Sequence, residues 1–422
     1  MARPFVELGV SSDTRPDWGL RQDEFVVQLR GRQGVKKYRE MAENDSVIGA
    51  ILTAMTMMLR SVEWRVEGTS KDATDYVHSV MHGMDDKSWE EFLADVLTML
   101  QYGFSLFEMV PRRDDDGMIR MKKLAGRAQY TIDRFETKEN GDIQGVWQVA
   151  SQKNVYIPYP KLLHFRTTSI ANEPSGRSVL RSAFTDWRAQ NNIKYFEGVG
   201  IERELNGLPV VRIPSEFMSA DASDSQKALF NQMKIIALYV KRNEQGYIIL
   251  PSDRYADEDG KLTNNLMVEF DLIASKGTRD INTGEVIIRY QQAIARSVMA
   301  GFVMLGANDR SSIALSKSKA DLFLRALKGY ANTIAAQLNR KLLPYLWELN
   351  GMDKADMPKL VRGRVAPVDL EELGQYIQRL ALSGVDLFPD DNLDKHLRDV
   401  AGLPEGDPNR PRPNAESIDE PE

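Results

Sequence analysis

Apolar and polar positions along this chain repeat with two periods. From Val35 to Leu59 the period is helical, and Asp45 or Ser46 can cap a second part carrying Val47, Ile48, Ile51, Leu52, Met55, Met58 and Leu59. Trp64 and Val66 then alternate with Glu63, Arg65 and Glu67, the period of a short strand. Ser88-Trp89-Glu90-Glu91 fits a capping box, in which the Ser oxygen and the Glu carboxylate each take up a free backbone N–H. The helix it opens puts Phe92, Leu93, Val96, Leu97 and Leu100 on one face and stops at Gly103. Strand-like runs follow at Phe104–Val110, Met118–Leu124, Gln144–Val149, Asn154–Ile157 and Leu162–Arg166. Asp114-Asp115-Asp116-Gly117 is the turn joining the first two. This half of the chain therefore predicts a mixed α+β domain.

Helices dominate the second half. Ser178–Asn206 reads as one helix of about 43 Å. Gly198 and Gly200 lie inside it, each costing about 1 kcal/mol against Ala, and imply a bend or a close contact. Asn206-Gly207-Leu208-Pro209 stops it, and Val210–Pro214 is strand-like. A second helix starts at Ser223 or Asp224 and runs to about Arg242. Tyr247–Leu250 and Leu266–Ile273 read as strands flanking the acidic turn Asp257–Gly260. The polar loop Ser275–Gly284 leads into a helix over Glu285–Phe302. The loop Gly306–Ser316 leads into a longer one over Lys317–Leu349, kinked at Pro344. Two shorter helices are expected near Leu370–Leu382 and Asp391–Val400. Residues 1–30 are polar and mixed, as in an arm. Leu403–Glu422 holds five prolines and six acids, so almost nothing there can be buried and disorder is expected.

Composition narrows the chemistry. Of 422 residues 42% are apolar and 27% charged, the balance of an ordinary soluble protein with a sizeable core. Cysteine is absent, which excludes disulfides, thiolate metal sites and a cysteine nucleophile. No apolar stretch approaches the roughly 20 residues that span a bilayer, and Met1–Asp13 has no apolar core of a secretory signal. A reducing, cytosol-like place of synthesis and no membrane partner are expected. Lys plus Arg number 55 against 61 Asp plus Glu, a net charge of -6. Tight non-specific DNA binding draws on a basic excess, so the whole chain is not expected to grip DNA.

Enzyme motifs are not found. There is no phosphate-binding loop, no nucleophile elbow and no His-Glu-x-x-His pair, and Gly198-Val199-Gly200 lacks the third glycine of a dinucleotide fingerprint. Asp114-Asp115-Asp116-Gly117 hints at a calcium loop, but Arg112 and Lys123 stand where its first and last ligands belong. His164 sits in an alternating run between Leu163 and Phe165 with no acid nearby in sequence, which favours a structural histidine over a base. No cofactor is implied. Scattered acids leave a metal-dependent nuclease open as an alternative.

The order of segments carries more than any motif. Tyr38-Arg39-Glu40-Met41, Asp45-Ser46-Val47-Ile48-Gly49-Ala50 and Val62-Glu63-Trp64-Arg65-Val66 come first. Leu100-Gln101-Tyr102-Gly103-Phe104-Ser105-Leu106-Phe107-Glu108 and His164-Phe165 follow. Gly176-Arg177-Ser178-Val179-Leu180 then opens the long helix that ends at Asn206-Gly207-Leu208-Pro209. Ile294-Ala295-Arg296-Ser297-Val298-Met299, Leu305-Gly306 and Leu338-Asn339-Arg340-Lys341-Leu342-Leu343-Pro344 close the series, ending at Leu349-Asn350-Gly351. In this order and spacing the chain resembles the portal proteins of tailed bacteriophages, especially those of Mu-like phages, over about residues 35–351. Gly301-Phe302-Val303-Met304 departs from the pattern.

The resemblance implies an α+β portal-type fold and a homo-oligomeric ring, usually of about twelve copies. Such a ring sits at one capsid vertex of the virion, is assembled in the host cytoplasm, and carries DNA during packaging and ejection. On that template residues 1–34 are an arm, 35–177 the first part of a wing, 178–206 one stem helix and 207–222 a short clip. Residues 223–244 are the second, paired stem helix. Residues 245–316 complete the wing with a tunnel loop at 275–284, residues 317–402 are crown-side helices, and 403–422 are the tail. Val210, Arg212, Ile213, Pro214 and Phe217 are then clip residues placed to meet the terminase large subunit and head-completion or adaptor proteins. The major capsid protein and double-stranded DNA in the lumen are the other implied partners. Lys227, Lys234 and Lys241 recur every seven residues on one helix face. They would face DNA in the ring, or lie on a solvated outer face. Lys276 and Arg279 invite the same reading in the tunnel loop, with Gly277 and Gly284 as its hinges. Apolar residues on more than one face of the long helix (Phe184, Trp187, Ile193, Phe196, Val199 and Ile201) call for cover beyond one partner helix, from the same chain or a neighbour. A non-portal virion adaptor remains the other structural alternative.

Overall fold

A computed structural model describes residues 24–404 except 151–152, 169–171, 207, 242–252, 258, 274–281, 302–312, 366–369, 386–389 and 402. Most of the expected arm, the strand Tyr247–Leu250, most of both polar loops and residues 405–422 of the tail lie outside the described residues. The chain divides into two compact units, one comprising Met1–Val179 with Leu305–Glu422 and the other Leu180–Met304.

The first unit opens with α1 (Gly31–Asn44) and α2 (Ser46–Arg60). They are separate helices because Asp45 is extended between them, its carboxylate accepting from the N–H groups of Val47 and Ile48 at 3.0 and 3.1 Å. β1 (Trp64–Glu67) precedes α3 (Lys71–His82), a helix absent from the sequence expectation. Its signal was present: Ala73, Tyr76, Val77, Val80 and Met81 are its buried residues, the spacing of one helix face, and Ser70 caps it. α4 (Trp89–Tyr102) begins with the predicted capping box and ends at Gly103, whose φ is +97°. A Cβ there would lie 2.5 Å from the Ser175 carbonyl oxygen, so glycine is needed for both conformation and space.

β2 (Phe104–Arg113), β3 (Ile119–Arg127), β4 (Ile132–Thr137), β5 (Ile143–Val149), β6 (Asn154–Pro158) and β7 (Leu162–Arg166) follow. They form two antiparallel three-stranded sheets, ordered β3-β2-β7 and β4-β5-β6, with Phe107 opposite both Gly126 and Leu163. Phe92 of α4 packs against β2 and β7 of the first sheet, 5.0 Å from the Phe107 ring centroid and 6.2 Å from that of Phe165. His164 is buried, as the structural reading expects. Its ring stacks on Phe135 and meets Phe104 and Tyr159 edge-on, and burial holds its pKa well below the ordinary value.

After the interruption this unit continues with α8 (Ile313–Gln337), α9 (Leu343–Asn350) and β12 (Lys359–Arg362). A π-helical turn, Leu338–Leu342, joins α8 to α9, with the Leu343 N–H donating five residues back to Leu338. The cause is Pro344, which has no N–H and crowds the preceding turn. The expected kink is therefore a one-turn widening. β12 pairs antiparallel with β1, a long-range pairing not read from the sequence. Side chains lock it: Asn339 donates to the Leu360 carbonyl and accepts from the Leu360 N–H, both at 2.8 Å. Asn350 does the same for Ile119 and also donates to the Tyr76 hydroxyl. Lys341 lies 3.4 Å from the Tyr159 ring centroid and donates to its carbonyl, and burial brings its pKa down to about 8. The stretch 317–362, expected to belong to a separate crown, is thus packed into the same unit as α2, β1 and β7. α10 (Leu370–Leu382) and α11 (Asp391–Ala401) fall where expected.

The second unit contains α5 (Phe184–Asn206), β8 (Leu208–Arg212), α6 (Asp224–Lys241), β9 (Arg254–Ala256), β10 (Leu262–Leu266), β11 (Glu269–Ile273) and α7 (Thr283–Ser297). The long helix starts later than expected, because residues 179–183 form turns. α7 is shorter than the expected Glu285–Phe302, ending at Ser297. Two expectations fail. α5 packs against α7, not α6, and residues 245–304, expected to complete a wing, fall in the same unit as α5. The reason is the ribbon of β8 and β11, which brings Leu208 opposite Ile273 and so recruits the later segment.

Candidate functional site

The ribbon and α6 form a small module. In β8, Val210 faces Asp271, Val211 faces Phe270 and Arg212 faces Glu269 across the ribbon. Met233 and Ile236 of α6 and Val268 are its buried residues, with Val211, Ile213, Leu229, Met267 and Phe270 packed against them. Period two in the strand and period 3.6 in the helix set these contacts. Arg212 is exposed and forked between carboxylates: it pairs with Asp271 and, at 3.2 Å, with Glu269. The Asp271 hydrogen bond is the main cause that raises its pKa.

The expected clip residues thus split in role. Val210 and Arg212 belong to the ribbon, and Ile213 faces the module core. Pro214 stands before a 3-10 turn, Ser215–Met218, in which Phe217 is half-buried. Of the lysine series, Lys227 and Lys234 are exposed, and Lys227 Nζ donates to the Ala220 carbonyl at 2.9 Å. Lys241 is the last residue of α6, and its side chain lies outside the described residues. Because α6 packs on the ribbon, these lysines do not run along a helix paired with α5. Lys276, Gly277 and Arg279 lie outside the described residues. Gly284 is not a loop hinge: it is inside the first turn of α7, where the Asn282 side chain caps the Glu285 N–H at 3.2 Å.

Thr283 of α7 donates to Glu197 of α5. Tyr195 and Phe196 of α5 are exposed at 68% and 69%, their rings 5.6 Å apart, and Ile201 is exposed at 52%. β9 and β10 form an antiparallel hairpin around the acidic turn, with Gly260 at a φ of +75°. Among the described residues no group of three or more His, Asp or Glu is placed to hold a metal ion, and no helix is long and apolar enough to cross a membrane.

This fold recurs in particle necks. A chain of the structure described as "Neck of empty GTA particle computed with C6 symmetry" matches with a TM-score of 0.55 at 13% identity, over 93% of this chain and 96% of that one. One from "Virion of native gene transfer agent (GTA) particle" matches at 0.54 and 13%, over 94% and 97%. One from "Neck of native GTA particle computed with C12 symmetry" matches at 0.51 and 12%, over 88% and 94%. At such identities the likeness is one of fold. The sequence supplies the rest: residues 35–402 match the family described as the portal protein of Mu bacteriophage, and the chain belongs to that family.

Proposed function

We propose that this portal protein closes head to tail into a ring of about twelve copies at one capsid vertex of the virion. The ring is the conduit for DNA entering under the terminase motor and leaving at infection. The family match over residues 35–402 carries the reading. C6 and C12 symmetry in the necks whose chains share the fold supports a ring. So do Tyr195, Phe196 and Ile201, which leave α5 with apolar surface that α7 does not cover. A net charge of -6 suits passage, because every basic contact is multiplied by the number of subunits and would hold DNA.

The helix pairing redraws the parts. α5 and α7 are the stem, and residues 207–282 are the clip, which includes α6 and the hairpin and meets the terminase large subunit and head-completion or adaptor proteins. The unit containing the two three-stranded sheets faces the major capsid protein as the wing. Negative-stain imaging of the purified chain tests the reading: annular particles with a lumen that admits duplex DNA are expected, and a protein that never forms rings contradicts it.

A further inference from the structure

The hairpin of β9 and β10 has no buried residue among those described, and Tyr255, Leu262 and Leu266 are exposed at 41%, 73% and 43%. Among the described residues its hydrogen bonds are local: Thr263 Oγ1 to the Tyr255 carbonyl at 2.8 Å, Arg254 to Asn264 at 3.2 Å, and Met267 N–H to the Asp253 carbonyl at 2.8 Å. A two-stranded hairpin with no core is marginal in water. Its tip is acidic, with Asp257, Glu258 and Asp259 in succession. The Asp257 carboxylate shapes the turn, accepting from the N–H groups of Asp259 and Lys261. That leaves Asp259 exposed with its charge outward.

The outer face of α6 has the opposite character. Leu229, Met233 and Ile236 turn into the module core, so Lys227 and Lys234 stand on the other side of the helix. Ile235 beside them is 51% exposed, and among the described residues Lys234 has no ion-pair partner. Acidic tip and lysine face, each with exposed apolar side chains, lie in one unit of the same chain. We infer that the β9–β10 hairpin of one copy docks on the outer face of α6 of the next. The acidic tip meets Lys227 and Lys234, and Leu262 and Leu266 cover Ile235. The contact joins two different surfaces, so it propagates head to tail and can close a ring. It rests on the ring proposed above, and it assigns the lysine stripe to a neighbouring subunit rather than to DNA.

The absence of cysteine makes the test clean. Asp259→Cys and Lys234→Cys in one chain, mildly oxidised, should give a reducible ladder of dimers, trimers and larger species. Either substitution alone should stop at dimers. A bridge within one chain, dimers only, or no bridge from the double variant overturns the inference. A second arm spares Asp257. Glu258→Lys with Asp259→Lys should lower the ring fraction on the order of tenfold, as should Lys227→Glu with Lys234→Glu, and the combined four-site variant should recover it. If every variant forms rings like the parent chain, the docking is wrong and the ring stands. If the parent chain forms no ring, both fall.

Discussion

The two units solve the same packing problem unequally. Met1–Val179 with Leu305–Glu422 encloses Trp347, Phe92, Phe107, Phe165, Met41 and Met99, all essentially without solvent contact. Leu180–Met304 divides its burial between the helix pair, at Phe184, Trp187, Ile294 and Ala295, and a small module with Met233, Ile236 and Val268, and leaves Tyr195, Phe196, Leu262 and Ile235 in solvent. A unit with a deep core can hold its shape alone. One with a shallow core gains most by covering its surface with another copy, so the second unit is where assembly should contribute to stability.

One substitution placed in both units breaks this contrast most sharply. Met99→Ala should cost about 3–5 kcal/mol by urea denaturation, since its site is enclosed on all sides. Met233→Ala should cost only about 2 kcal/mol, because the small module can collapse around it. Equal losses would remove the distinction. Gly103→Ala combines a forbidden φ with a clash against backbone, and a loss of at least about 2 kcal/mol in the same measurement is expected.

Acid should reach the first unit through His164. Burial keeps its folded pKa well below the ordinary 6.5. Below that pH the unfolded chain therefore binds a proton that the folded chain does not. The His164 contribution is complete above pH 6.5 and falls as pH falls, by up to about 1.4 kcal/mol per unit. His164→Phe, which keeps a ring beside Phe104 and Phe135, should flatten the fall in urea midpoint between pH 7 and 5. An unchanged slope would assign acid sensitivity elsewhere. Asp45→Ala should cost about 1 kcal/mol by removing the cap that separates α1 from α2. The smallest effect on folding belongs to Tyr195→Ser with Phe196→Ser, within about 0.5 kcal/mol for the monomer. The same pair should reduce ring formation in size-exclusion chromatography, which sharpens the contrast from the other side.

The legible parts of the sequence were local. The Ser88 capping box, the Gly103 stop and the helix Asp224–Lys241 each depend on neighbours within a few residues, and each was predicted from them. The α3 face is equally local, and Ala73, Tyr76, Val77, Val80 and Met81 spell it out. The pairing of β1 with β12 and of β8 with β11 was not legible, because period-two strands reveal a face and not a partner far along the chain. The helix packing differs from the expected one for that reason: α6 follows α5 in sequence, but the ribbon brings α7 to it instead. The candidate lysines were found by spacing, but spacing could not tell which surface lies opposite them.

Native mass spectrometry of the intact assembly tests the central claim most directly. The account predicts one closed species whose mass is a whole multiple of 47.8 kDa, near twelvefold and without a continuous series beyond it. A lone monomer at every protein and salt concentration would contradict it.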